Sequence, residues 1–123
     1  MGKAGREGSV VARRYVPDAG DLIWPTFDPQ AGREQAGRRR ASVLSPGAYN
    51  AKSGLALVCP ITGRVKGYPF EVALPRSLTV SGVVLADHLK SVDWRERCAE
   101  AAGRVPGDVL TEVLSRLAAL LGF

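Results

Sequence analysis

The sequence predicts a mainly β domain that ends in one C-terminal helix, and two observations carry that prediction. Before Pro106 the apolar residues come in short runs bounded by Gly, Pro, Asp and Asn; after it they fall at helical spacing. At 123 residues the chain is sized for one compact domain with a modest core, and it contains no internal repeat.

The elements follow in order. Residues 1–14 are Gly-rich, basic and poor in large apolar side chains, which predicts a disordered basic tail and leaves 15–123 as the folded domain. Asp21 to Phe27 reads as a strand, and Pro25, which lacks a backbone donor, predicts an edge position or a bulge. Asp28 to Gly37 reads as a loop. Ala41 to Leu44 resumes strand character, Ser45-Pro46-Gly47 breaks it, and Leu55 to Ile61 is an apolar run between Gly54 and Gly63. Phe70, Val72 and Leu74 alternate with Glu71 and Ala73 in a half-buried strand. Gly82 to Leu89 reads as a further strand, followed by a short element near Asp93-Trp94-Arg95, for about five short strands in all. The helix is marked by Leu110, Val113, Leu114, Leu117, Leu120 and Leu121, with Pro106 at its first turn and Gly122 at its end. That stripe is expected to pack on the sheet, because the polar face (Asp108, Glu112, Arg116) has no basic excess suited to a membrane.

Composition narrows the function classes. Seventeen Lys plus Arg against twelve Asp plus Glu give a net charge of +5, which suits an anionic partner or simple solubility. No apolar run approaches the roughly 18 residues needed to cross a bilayer and no secretory signal opens the chain, so a cytoplasmic protein without membrane contact is expected. Cys59 and Cys98 sit in dissimilar contexts and read as buried or incidental thiols. His88, the one histidine, has no clustered Cys or carboxylate partners; a packed or hydrogen-bonded role is expected, with no metal site. Trp24, Trp94, Tyr68 and Phe70 can stack on bases, but core or dimer packing is the expected role of each.

The chemistry concentrates in Gly32-Arg33-Glu34-Gln35-Ala36-Gly37-Arg38-Arg39-Arg40-Ala41, where charge of both signs meets the start of a strand. A strand fixes geometry while the loop carries function, and Arg offers planar, permanently charged forks that match phosphate.

Around this loop lie Arg14-Tyr15-Val16-Pro17-Asp18, Gly20-Asp21-Leu22-Ile23-Trp24, Val43-Leu44-Ser45-Pro46, Lys66-Gly67-Tyr68-Pro69-Phe70-Glu71-Val72 and Leu85-Ala86-Asp87. In this order and spacing the blocks resemble the MazF/PemK/Kid family of toxin ribonucleases, closest to its MazF branch, from about residue 13 to the C-terminus. One departure is local: the family usually has Arg-Pro where this chain has Arg39-Arg40, which frees a backbone donor and adds a charge.

The resemblance implies an SH3-like small barrel of the MazF/CcdB type, over residues 15–123, acting as the toxin of a type II toxin-antitoxin system. It implies a sequence-specific, metal-independent endoribonuclease that needs no cofactor. The enzyme would cut single-stranded mRNA, at an ACA-containing site by analogy with the MazF branch, to leave 2′,3′-cyclic phosphate and 5′-hydroxyl ends, so inhibiting translation and growth. A homodimer and a MazE-like antitoxin are the implied partners. The recurring catalytic pair maps onto Arg39 and Thr62, with Glu34 as the candidate acceptor of the 2′-hydroxyl proton, and RNA contacts map onto Arg33, Gln35, Arg38, Lys66 and Asp87. The Kid branch has a His where Arg33 stands here, so a Kid-like proton shuttle is not expected.

Plainer roles stand beside these. Arg39 can pair with Glu34, Thr62 can cap the turn before Gly63, Asp87 can bind backbone donors at a strand end, and Lys52, Lys66 and Lys90 can be solvated charge. Two other functions share the pattern: a CcdB-like toxin that binds DNA gyrase without cleaving anything, and a catalytically silent RNA-binding module.

Overall fold

The computed structural model describes residues 15–26, 39–78 and 80–123. The elements are β1 (Asp21–Trp24), β2 (Ala41–Val43), α1 (Gly47–Ser53), β3 (Ala56–Thr62), β4 (Glu71–Ala73), β5 (Val83–Leu85), β6 (Lys90–Val92), β7 (Glu100–Arg104) and α2 (Gly107–Leu121). The strands form one antiparallel sheet in the order β4–β5–β3–β2–β1–β7, and β6 pairs with β3 beside β5. β3 is the hub: Ala56–Val58 face β6, Ile61 and Thr62 face β5, and its other edge takes β2.

The central strands are buried on both faces, which is why they read as continuous apolar runs rather than alternating ones. Leu22, Cys59, Ile61 and Val84 point to one side, where Val109, Val113 and Leu117 of α2 cover them. Ile23, Val43, Ala56 and Val58 point to the other, against Val92 and Trp94. Val43, Val58, Val84 and Val113 are fully buried, each stabilising the fold by about 1.5–3 kcal/mol relative to exposure.

Two polar clusters fix the ends. Asn50 is fully buried; it receives the Ser45 hydroxyl at 2.6 Å, donates to the carbonyls of Pro17 (2.8 Å) and Ser45 (3.0 Å), and its own carbonyl takes the Trp94 indole N–H at 3.1 Å. Asp21, also buried, accepts from the Tyr15 hydroxyl at 2.6 Å and the Asp18 N–H at 2.9 Å and pairs with Arg104 of β7. Burial beside that carboxylate pushes the Tyr15 phenol well above its ordinary value.

Several sequence expectations change. The break at Ser45-Pro46-Gly47 is the entry to α1, a two-turn helix closed by Gly54 in the left-handed conformation (φ 76°); with only Asn50 buried it has no apolar stripe to read. Gly82 to Leu89 is not one strand: β5 ends at Leu85, a turn follows, and β6 begins at Lys90. The element near Asp93-Trp94-Arg95 is a turn whose Trp94 is buried as expected. β1 ends before Pro25 and is flanked by β2 and β7, so it is no edge; the irregularity lies in β7, where the pairing skips Ala102. Along α2 only part of the expected stripe is buried: Leu114, Leu120 and Leu121 are exposed, because the buried contacts run along Val109, Val113 and Leu117 at four-residue spacing. Cys59 is buried, Cys98 is exposed, and both are free thiols. The proposed tail and most of the charged loop, with Arg33, Glu34, Gln35 and Arg38, lie outside the described residues.

Candidate nucleic-acid interface

The site is built where β2 begins and β3 ends. Their register pairs Ala41 with Pro60 and Ser42 with Cys59, and it persists beyond β2 because the Ile61 N–H donates to the Arg40 carbonyl at 3.0 Å. Continued one step further, the same register sets Arg39 opposite Thr62. Both line an open groove of about 710 Å³, together with Arg40, Arg64, Lys66 and His88. The structure thus brings Arg39 to Thr62 and Lys66, more than twenty residues further along the chain.

Each side chain is held differently. The Thr62 hydroxyl oxygen accepts the Arg64 N–H at 3.1 Å, so the turn-capping role is real; one hydroxyl also carries a proton it can donate, and capping leaves that proton for the groove. The segment after β3 is closed by Glu71, whose carboxylate accepts from the N–H groups of Lys66 (3.0 Å) and Gly67 (2.9 Å), with Gly67 at φ +84°. That closure presents Lys66, its ammonium 5.8 Å from the Tyr68 ring centroid, to the groove. Arg116 of α2 binds the Pro69 carbonyl and so ties the same segment to the helix. Among the described residues that line the groove Glu71 is the one carboxylate, and it is already engaged by backbone N–H groups. Arginine and lysine charge with little unengaged acid makes the groove a receptor for an anion.

Arg39 and Trp24 also wall a second, smaller recess of about 240 Å³ that holds Lys90 and Arg97. Arg39 therefore stands between two cationic hollows, and a polyanion laid across it meets positive charge on both sides.

Some expectations shift. Asp87 is not on the groove wall; its carboxylate lies 3.8 Å from His88 Nε2, and the imidazole, for which a packed or hydrogen-bonded role is expected, is exposed and lines the groove. Tyr68 is likewise exposed on the groove, whereas Phe70 packs against the core as expected. Trp24 is half-buried at the junction of the two hollows rather than in the core. Sequence reading gave Arg40 no role at the site; its signal was present, since it sits next to Arg39 at the strand entrance.

Among the described residues no group of three or more His, Cys, Asp or Glu is placed to hold a metal ion, and no helix is long and apolar enough to cross a membrane.

Comparison with known proteins shows the family. The chain is 50% identical over 109 residues to the endoribonuclease toxin MazF of Escherichia coli K12, a match that takes in 89% of this chain and 97% of that protein. A crystal structure of MazF from Deinococcus radiodurans superimposes with a TM-score of 0.78 at 62% identity, covering 89% of this chain and all of that one. A MazE-MazF complex structure from the same organism gives a TM-score of 0.79 at 56% identity, covering 89% of this chain and 99% of its counterpart. Residues 18–121 match the family model described as the PemK-like, MazF-like toxin of type II toxin-antitoxin systems, and with half-identical relatives spanning nearly its whole length, the chain belongs to that family.

Proposed function

We propose that this protein is an endoribonuclease toxin that cuts single-stranded mRNA at a short sequence without a metal ion, with residues 15–123 as the toxin domain in an SH3-like barrel arrangement. The convergence of Arg39 and Thr62 from paired strands on one cationic groove carries the reading.

Cleavage begins when the 2′-hydroxyl attacks the adjacent phosphorus. The 2′-O–P bond forms as the P–5′-O bond breaks, giving a 2′,3′-cyclic phosphate and a 5′-hydroxyl. Arg39 can aim two donors at the phosphoryl oxygens, whose charge grows in the transition state. Its permanent charge makes it a poor proton donor or acceptor. Thr62 donates to a non-bridging oxygen, Glu34 accepts the 2′-hydroxyl proton, and the leaving 5′-oxygen takes its proton from water. Arg33, Gln35, Arg38 and Lys66 hold the flanking strand by phosphate contacts, and Asp87 acts from behind His88.

The protein works in the cytoplasm as a homodimer. Support comes from the unburied apolar residues Leu114, Leu121 and Phe123 at the C-terminal end, which a second copy can cover. Its inhibitor is a MazE-like antitoxin, as the MazE-MazF complexes of the Deinococcus relative suggest. Digestion of a long defined RNA with both ends of every product sequenced tests the reading. Cuts at one recurring short motif with cyclic-phosphate ends are expected, and an intact RNA would sink it in favour of a non-cleaving toxin.

A further inference from the structure

Arg40 occupies a place where its charge is both held and available. Its guanidinium carbon lies 4.7 Å from the centroid of the Trp24 ring, and both residues line the large groove. A guanidinium over an aromatic face gains cation–π attraction while its N–H donors, which lie at its edge, stay open to a second partner. Among the described residues that line the groove the one carboxylate, Glu71, is held by the Lys66 and Gly67 N–H groups. The side chain is half-buried, so much of the entropy that a free arginine loses on binding an anion has already been lost.

Backbone geometry separates it from its neighbour. The Arg40 carbonyl is paired with the Ile61 N–H, which keeps this segment aligned with β3. Both arginines line the large groove, but of the two only Arg39 also lines the smaller hollow. Two arginines consecutive in sequence therefore address different points along a bound strand.

We propose that Arg40, braced on Trp24, binds an RNA phosphate adjacent to the scissile one and is a substrate-positioning residue. This rests on the nuclease reading above and adds to it a contact outside the chemistry. The contact is with phosphate rather than a base edge, because the groove around Arg40 is populated by cations and because phosphate matches an open guanidinium fork.

The test uses the full-length protein with a single-stranded oligonucleotide carrying the cleavage motif, 2′-deoxy at the scissile position so that it binds without being cut, over a series of salt concentrations. Arg40→Gln should weaken binding about tenfold, as loss of a hydrogen bond to a charged group does. It should also lower the slope of log affinity against log salt by about 0.7, the value for one phosphate on a single strand. With cleavable RNA the same variant should raise KM with kcat within about twofold. Arg40→Lys keeps the charge and should keep the slope. Parent-like affinity and slope in a folded Arg40→Gln protein would overturn the proposal and leave Arg40 as packing on Trp24; a changed cleavage motif would overturn it in favour of base reading. Failure of the nuclease reading shows separately, as a parent protein that binds the oligonucleotide yet cuts no RNA.

Discussion

Gly82 presses its backbone on the carbonyl of Thr62: a Cβ added at Gly82 would lie 2.2 Å from that oxygen, and Gly82 itself has a φ of +117°. The β5 entrance thus fixes the strand end from which the Thr62 hydroxyl projects. Gly82→Ala meets both a backbone clash and a disfavoured conformation. It is expected to lower the thermal midpoint by several degrees and to reduce RNA cleavage even at temperatures where the variant is folded. Unchanged melting would show that this contact relaxes freely.

Arg39→Ala should lower kcat by at least ~10²-fold, the typical loss when a preorganised donor to a developing oxyanion is removed. Thr62→Ala should be milder, since a neutral hydroxyl contributes less than a guanidinium. Single-turnover cleavage by variants with parent-like circular dichroism measures both. An Arg39→Ala protein that cuts at the parent rate would place the chemistry elsewhere.

Cleavage should persist in excess EDTA, because the mechanism assigns charge stabilisation to Arg39 and proton transfer to Glu34 and water. Added Mg²⁺ should slow it by screening the phosphates from the groove. An absolute divalent requirement in chelator-stripped protein would refute that division of labour.

Burial, with the Asp87 charge adding to it, pushes the Cys59 thiol up to about 12 from an ordinary 9.0. The native protein should therefore react with a thiol reagent at the exposed Cys98 and not at Cys59, which becomes reactive only on unfolding. The linkage sign follows from the raised value. Stability contributed by the neutral thiol is complete below about pH 9 and is lost as pH rises towards about 12. Tyr15, raised by burial and by its bond to Asp21, adds to the same alkaline loss, so Tyr15→Phe should flatten the fall in melting temperature above pH 10. An unaltered alkaline limb would remove Tyr15 from the account.

An acidic, partly apolar peptide of the kind an antitoxin supplies should compete with RNA for the groove. Raising salt should weaken RNA binding steeply and peptide binding less, in proportion to the peptide's apolar anchors. Competition kinetics over a salt series read this directly. Non-competitive inhibition would move the peptide to another surface.

What the sequence made legible tracks where side chains carry the information. Runs such as Leu22-Ile23, Ala41 to Leu44 and Leu55 to Ile61 announce buried strands because both sheet faces are covered. β7, Glu100–Arg104, was illegible for the opposite reason: its side chains are mostly exposed and small, and it is a strand because its backbone pairs with β1. Arg39 and Thr62 stand out as candidates through the surrounding blocks, and the β2–β3 register sets both on the groove. The Arg40–Trp24 contact was not legible, since it joins the ends of two strands whose closeness only the folded register creates. His88 follows an apolar run that ends at a turn, so the run gives no sign that its side chain is exposed on the groove.

The pairing of β1 with β7 also sets a timetable for the nascent chain. Asp21 is bound by Arg104, 83 residues later, and the Pro17 and Trp94 groups meet on Asn50 across separations of 33 and 44 residues. Such high contact order makes folding slow, because long loops must close before their contacts stabilise anything. A growing chain that has not yet released Arg104 from the ribosome has no partner for the outer edge of β1. A premature stop before Glu100 therefore yields an open-edged fragment that exposes an aggregation-prone strand rather than a smaller working enzyme.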